Sequence, residues 1–463
     1  MPSIYREAKQ MSDWASKSFW LGATPYKENP PLEDDIRADV AIVGAGFTGL
    51  STAYYLRQAD PSLRVVVLES DVVGYGASGR NGGFAMTLMG LTLSLTARRF
   101  GKQKTRQAHD FGVRAVRHIG ELVEKQGIEC DYEKNGLLTV ATNPAQVDRL
   151  QAEIRLAHEL GIEGVRWLDA GELREEVSSP LYLGAREEEE CALVNPAKLV
   201  RGMKNLAEGA GAEIYERTPV EAAHLKPRIR LETPRGSVAA QKVVFATNAF
   251  TQRFPQLHSK AFPIFTYIVL TEPLSQQQLS SIGWGNRQGI EDARNLIHYY
   301  RLTADNRLLM GGEDVMYYYG GKVGMDEHWP TFQDLERTIS ETFPGLAGIG
   351  ISHRWGGPVS VPIDFFPALG YLGGDRRVIY SLGCVGHGVA PTNLAGQILR
   401  DLVREQETEL TDLFFVNRRM IPLPPEPIRF AVAQGIRRGM KLQDGWERRK
   451  QPKPQEPPRR SLA

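Results

Sequence analysis

Cysteine is scarce in this 463-residue chain: Cys130, Cys191 and Cys384 lie far apart and form no C-x-x-C pair. That spacing excludes a disulfide framework and a zinc-finger ligand set, and no metal site is expected. Cys130 and Cys191 read as small buried hydrophobes. Long apolar runs are missing as well. The longest, Ala261 to Leu270, is broken by Pro263 and is too short to span a bilayer. The first residues mix Arg6, Glu7, Lys9 and Asp13 without an apolar stretch, which is not the pattern of a secretion signal. Nor does one sign of charge prevail. Lys and Arg number 56 against 55 Asp and Glu, a formal net charge of +1, which argues against a nucleic-acid partner. A reducing, cytoplasmic setting is the expectation. What is there suits a globular enzyme: 42% apolar and 24% charged residues, with length enough for two or three domains.

The strongest positive feature runs from Asp39 to Glu69. Asp39-Val40-Ala41-Ile42-Val43 is a short β-branched run ending in Gly44-Ala45-Gly46-Phe47-Thr48-Gly49. Leu50 to Leu56 then has helical spacing, Arg64 to Leu68 reads as a second strand, and Glu69 closes it. Strand, glycine turn, helix, strand and acid form a dinucleotide fingerprint. Gly44 permits the tight turn, Gly46 lets backbone approach a pyrophosphate, and Gly49 lets helix pack on strand. The helix N-terminus offers unpaired N–H groups and a positive dipole end to phosphates. Glu69 can accept hydrogen bonds from ribose hydroxyls, and its charge disfavours a 2′-phosphate.

Further strand and helix patterns alternate along the chain. Gly136 to Thr142 reads as a strand, Pro144 to Leu160 as a helix, and Asn195-Pro196 opens another helix closed by Gly211. Ala212 to Thr218 and Lys242 to Asn248 read as strands of the nucleotide unit, with Val378 to Ser381 and a helix from Thr392 to Val403 as its last part. Antiparallel-type strands fall between, at Pro263–Leu270, Leu296–Leu302 and Arg307–Gly311. The expected class is α/β: a discontinuous Rossmann-like domain carrying an inserted mixed, largely antiparallel β-sheet domain. The expected division is an arm over 1–35, a nucleotide domain over 36–126, 195–258 and 350–413, the inserted domain over 127–194 and 259–349, and a C-terminal region over 414–463.

Two more glycine clusters follow the fingerprint. Gly74-Tyr75-Gly76-Ala77-Ser78-Gly79-Arg80-Asn81-Gly82-Gly83-Phe84 lets backbone pass close to a flat, bulky group, with Ser78, Arg80 and Asn81 as polar contacts. It points to a cofactor longer than NAD. Gly383-Cys384-Val385-Gly386-His387-Gly388-Val389-Ala390-Pro391-Thr392 lies between the last strand and the last core helix, where N–H groups again face outward. His387 is either a ring contact or a loop imidazole bonded to backbone.

Together these blocks resemble the D-amino acid oxidase-like family of FAD-dependent oxidoreductases over roughly Ile36 to Val403. Other markers are Trp355-Gly356-Gly357 and Asp364-Phe365-Phe366-Pro367-Ala368-Leu369-Gly370. The Ser78–Gly83 run and Arg301-Leu302-Thr303 with Arg307–Gly312 look most similar to its γ-glutamylputrescine oxidoreductase branch. The resemblance implies FAD held by Gly44, Gly46, Phe47, Thr48, Gly49, Glu69, Ser78, Arg80, Asn81, Gly82, Gly83, Val220, Gly383, Gly386, His387, Gly388 and Thr392. It implies hydride removal from a C–N bond of a small amine, hydrolysis of the imine, and reoxidation by oxygen or an electron carrier. The alternatives are a same-fold dehydrogenase feeding a quinone or carrier, with a 2-hydroxy acid as substrate, and a non-catalytic FAD-binding protein. Covalent members tether the flavin through a Cys near the Asp-x-x-Pro segment or a His in the second glycine cluster. Neither stands in Val359–Pro367 or Gly74–Phe84, so the FAD is expected to be non-covalent. Pro358-Val359-Ser360-Val361 replaces the arginine that clamps a substrate carboxylate in the amino acid oxidases, which disfavours a simple D-amino acid.

Aromatic and basic residues remain for substrate contact: Tyr267, Arg301, Arg354 and Trp355, with His298 and Tyr300 as candidate catalytic groups. Period-two geometry puts His298 and Tyr300 on one face of their strand and Tyr299 and Arg301 on the other. The expectation is that His298 and Tyr300 face the flavin. Arg354 is either a remote-carboxylate site or a structural ion pair.

The end of the chain differs in character. From Ile428 onward it holds ten Lys or Arg against three acids. Ile428, Val432, Ile436 and Met440 recur every fourth residue, followed by Trp446. Such a basic amphipathic segment suits weak contact with an anionic membrane or, alternatively, a helix docked on the body before a Pro-rich tail from Gln451. Gly435, Gly439 and Gly445 weaken it as a free-standing helix.

Overall fold

Four short apolar runs build the centre of the first sheet. Val40–Val43, Val65–Leu68, Val243–Phe245 and Val378–Tyr380 are buried on both faces, which demands parallel pairing with helices on either side. In the computed structural model, which describes residues 13–451, they do pair this way. The strand order is Ala368–Leu372, Asp375–Leu382, Ser237–Phe245, Ile36–Val43, Val65–Leu68, Glu213–Tyr215. All pairs are parallel except the antiparallel edge strand Ala368–Leu372. Helices Phe47–Ala59, Lys102–Gln126, Pro196–Gly209 and Val389–Val403 cover one face and share its largest apolar core. The nucleotide unit is thus assembled from early, middle and late segments. Residues 1–12 of the expected arm and 452–463 of the expected tail lie outside the described residues.

The second sheet is mixed and mostly antiparallel. Its order is Ile351–Val361, Phe262–Pro273, Arg307–Gly312, His298–Leu302, Gly289–Asp292, Leu137–Ala141, Gly184–Glu188, Val165–Asp169. Only Gly289–Asp292 and Leu137–Ala141 run parallel. One face carries Phe265, Tyr267, Val269, Tyr300, Leu302 and Met310 against Phe332, Leu335, Ile339 and Phe343. Each such side chain contributes roughly 1.5–3 kcal/mol on burial, so this face is a core and not a ligand site. The helix Trp329–Thr342 that supplies those partners has no counterpart in the sequence expectation.

One boundary moves. The strand Ile351–Val361 pairs along its length with Phe262–Pro273, so it is part of the second sheet and not of the nucleotide unit expected from 350. The C-terminal segment does form a helix, Ile428–Arg448.

Candidate active site

A cleft runs along the carboxyl ends of the parallel strands, where such sheets hold ligands. Its floor begins at the first glycine turn. Gly44 has φ +104°, and a Cβ there would lie 2.6 Å from the Ala246 carbonyl oxygen. A Cβ on Gly49 would lie 1.9 Å from the Gly44 oxygen, so the helix reaches the strand only because that residue is glycine. Gly49 therefore packs behind the turn, while Gly44, Gly46, Phe47 and Thr48 line the cleft. The helix starts at Phe47 without a side-chain cap from Gly46, and the Phe47 N–H donates to Ser78 Oγ at 3.0 Å.

Glu69 closes one end of the cleft. It is buried, and its carboxylate accepts from the Ala45 N–H at 2.8 Å and the Asp71 N–H at 3.1 Å. Burial holds the carboxyl above its ordinary range, against the pull of those two bonds. Val220 lines the same end. Glu69→Ala should weaken FAD by at most about 1.5–3 kcal/mol for each charge-assisted bond lost. FAD titration of apoprotein checks this, and an unchanged affinity places the ribose contact elsewhere.

The second cluster splits in two. Ser78 and Asn81 line the cleft. Asn81 shapes the loop, accepting from the Gly83 N–H at 2.7 Å and donating to the Ala77 oxygen at 2.9 Å. Arg80 does not reach the cofactor side, contrary to expectation. It is buried with Nε donating to the Tyr75 oxygen at 2.7 Å and Nη1 paired with Asp326 at 2.9 Å, because a buried guanidinium must find acceptors. Gly82 and Gly83 also lie off the lining, pressed against Tyr299 and the Val194 carbonyl.

At the far end Gly383, Gly386, His387, Gly388 and Thr392 line the cleft beside a second helix start, Val389, which has no side-chain cap. His387 Nδ1 is shut off from solvent with no hydrogen-bond partner. Burial pushes the imidazole pKa down to about 4, so the ring is neutral at neutral pH. Two helix starts without an N-cap side chain, a buried acid and a neutral imidazole line one cleft, and this set fits a long dinucleotide cofactor. Sequence reasoning missed Asn248, Phe250, Arg253 and Val359 as lining residues. The available signal was Asn248 itself, an Asn in the left-handed region (φ +43°) at the end of a parallel strand.

The second sheet meets this cleft through its other face. Cross-strand register places Trp355, Ile268, Gly311, Tyr299, Glu291, Thr139 and Arg186 in a single row. Val359, four residues from Trp355 and on the same face, lines the cleft. Phe84 of the second glycine cluster packs edge-on against Tyr299, ring centroids 5.7 Å apart. At the polar end Thr139 Oγ1 donates to Glu291 at 3.1 Å, and Arg186 pairs with Glu188 at 3.5 Å. Burial lifts the Glu291 carboxyl to about 7, while Arg186 and Thr139 draw it back.

The expected orientation of the His298–Leu302 strand is therefore reversed. Tyr300 faces the core, donating to or accepting from Tyr182 Oη at 2.6 Å among Trp284 and Phe343. His298 is buried between Asp292 (Nδ1 to Oδ2, 2.7 Å) and Glu313 (Nε2 to Oε2, 2.6 Å). Burial lowers its pKa, but the two carboxylates outweigh that and hold it above the ordinary value. The cause is the unforeseen helix layer, which claims Tyr300 and Leu302 for its core. Tyr267 falls on the same far face, bonded to Tyr318 Oη at 2.7 Å. Arg354 is the structural alternative, paired with Glu336 at 2.7 Å. Arg301 and Trp355 lie on the cleft-side face but hold backbone: Arg301 Nη1 donates to the Val194 oxygen at 2.7 Å, and Trp355 Nε1 to the Arg80 oxygen at 2.8 Å.

Comparison with known proteins agrees with this geometry. The family model described as DAO, FAD dependent oxidoreductase, matches residues 39–402. Gamma-glutamylputrescine oxidoreductase of Escherichia coli is 33% identical over 421 residues, 89% of this chain and 94% of that protein. A glycine oxidase of Bacillus licheniformis is 24% identical over 394 residues, 83% of this chain and 98% of that protein. Among solved structures, glycine oxidase from Geobacillus kaustophilus superposes with a TM-score of 0.69 at 23% identity, over 83% of this chain and 99% of that one.

Proposed function

The chain belongs to the DAO family of FAD-dependent oxidoreductases, and on that premise we propose that it oxidises the C–N bond of an amine or amino acid derivative to an imine, which water hydrolyses. A γ-glutamyl amine is the first substrate to test, given the name of the Escherichia coli relative. One observation carries the reading: the second sheet reaches the cofactor cleft through Val359, on the face that also carries Trp355, Tyr299 and Glu291.

Bound FAD supplies the hydride acceptor. The residues that would hold it are the Thr48 N–H and the helix start at Val389 for the phosphates, Glu69 for the ribose, and the Gly383–Gly388 turn for the rest of the group. Cys384 lines the cleft, but burial raises its thiol pKa and leaves it a poor nucleophile, which supports non-covalent FAD. Tyr299, packed edge-on against Phe84, is the proposed apolar wall of the substrate side. Hydride leaves only a neutral amine, and Glu291, poised at about 7, is the group of that row able to take an ammonium proton. Arg301 is spent on the Val194 oxygen and Arg354 on Glu336, so neither clamps an α-carboxylate. That supports an amine over a simple amino acid.

Acid precipitation should leave a colourless pellet and a yellow supernatant; a pellet that stays yellow sinks the non-covalent assignment. Oxygen is the proposed acceptor. Aerobic turnover of a γ-glutamyl amine should release peroxide in step with aldehyde. Turnover that needs an added quinone and yields no peroxide would make the enzyme a dehydrogenase.

A further inference from the structure

The helix Ile428–Arg448 is docked the opposite way round from an ordinary surface helix. Its inner face is charged. Arg437 and Lys441 both pair with the buried carboxylate of Asp314, at 2.6 and 2.5 Å. Asp444 accepts from the backbone of Asn295 and Leu296 at 3.0 and 2.9 Å, Glu447 pairs with Arg149 at 3.4 Å, and Arg448 pairs with Glu341. Five of its apolar residues point outward, Ile428, Val432, Ile436, Leu442 and Trp446, 47–76% exposed, while Phe430 packs inward on Tyr317 and Tyr319.

At 3.6 residues per turn these five share an outer arc of about 120°, in which Gln443 is the one polar side chain. Gly435 and Gly439 fall in the same arc, and a Cβ on either would meet nothing within 4 Å. Both acids of the helix are turned inward, so the outer surface holds no carboxylate. Arg438 borders the arc, and Arg449 and Lys450 follow Trp446, with the Lys450 ammonium 3.4 Å from the Trp446 ring centroid. The helix, about 30 Å long, presents an apolar stripe edged by cations only.

We infer that this outer face is a docking surface for an anionic lipid bilayer. The charge pattern selects that occupant. A second copy packed face to face would bring Arg438, Arg449 and Lys450 against like charges with no acid to pair them. By composition the chain beyond the helix adds cations, Lys453, Arg459 and Arg460 against Glu456. A bilayer with anionic headgroups meets both demands, taking the apolar stripe into its boundary and the flanking cations onto its surface. The glycines, costly in a free helix, are tolerated because the inner ion pairs keep the helix formed before contact. The contact is peripheral: no described helix is long and apolar enough to cross a membrane.

The test is co-sedimentation of the FAD-loaded protein with vesicles of mixed phosphatidylglycerol and phosphatidylcholine, against pure phosphatidylcholine. Wild type should pellet at least about tenfold more with the anionic vesicles, and added salt should lower this. The Ile436→Asp, Leu442→Asp double variant should stay in the supernatant with FAD content and thermal midpoint unchanged. Arg438→Glu with Lys450→Glu should weaken binding and flatten its salt dependence. The inference falls if wild type does not pellet, or if the apolar double variant pellets equally. It also falls if wild type is a dimer in solution that the double variant dissociates, since a second copy would then cover the face.

Discussion

Gly46→Val should yield a folded, colourless protein. The residue has φ −85° and ψ −172°, extended backbone that valine adopts without strain, so the fold survives. A Cβ at this position would lie 2.7 Å from Ser78 Oγ, the atom that accepts the Phe47 N–H. The substitution drives Ser78 away, unlinks the first two glycine turns, and sets two methyl groups over the helix N-terminus. FAD affinity should fall at least about 100-fold, equivalent to ~3 kcal/mol. The flavin-to-protein absorbance ratio after purification checks this, with thermal unfolding as the control for fold. A fully yellow variant would mean that the phosphates pass elsewhere.

The reversed strand gives the second large effect. Tyr299→Ala should slow flavin reduction by the best amine at least about tenfold while FAD remains bound, because it removes the aromatic wall beside Phe84. Tyr300→Phe should reduce at the normal rate and lose about 1–2 kcal/mol of stability, since Tyr182 Oη loses its partner. His298→Ala should cost about 1–3 kcal/mol, since Glu313 loses its Nε2 partner and Asp292 keeps only Arg294. Stopped-flow reduction and chemical denaturation separate the two classes. Slow reduction in Tyr300→Phe with a normal rate in Tyr299→Ala would restore the opposite orientation.

The cofactor half of the molecule was legible because its demands are local. Gly44, Gly49 and Glu69 are each required by backbone within a few residues or by the neighbouring strand, so spacing alone reveals them. The sheet half was not. His298-Tyr299-Tyr300-Arg301 has no clean alternation of polar and apolar residues, and its facing is decided by Phe343 and Trp284 from distant segments. Without the Trp329–Thr342 helix in view, the far face of the strand looked like the open one. The Glu291, Thr139 and Arg186 row was equally hidden, since residues far apart in sequence become neighbours only through register. In the C-terminal helix the periodicity was plain, but its inward charges depend on Asp314, Arg149 and Glu341, which no local pattern connects to it.

Anaerobic mixing of the yellow protein with one equivalent of a γ-glutamyl amine tests the central claim most directly. The account predicts bleaching of the oxidised-flavin absorbance with one equivalent of aldehyde formed on hydrolysis. A flavin that stays oxidised with γ-glutamyl amines, primary and N-methyl amines and amino acids, yet bleaches with a 2-hydroxy acid, would contradict it.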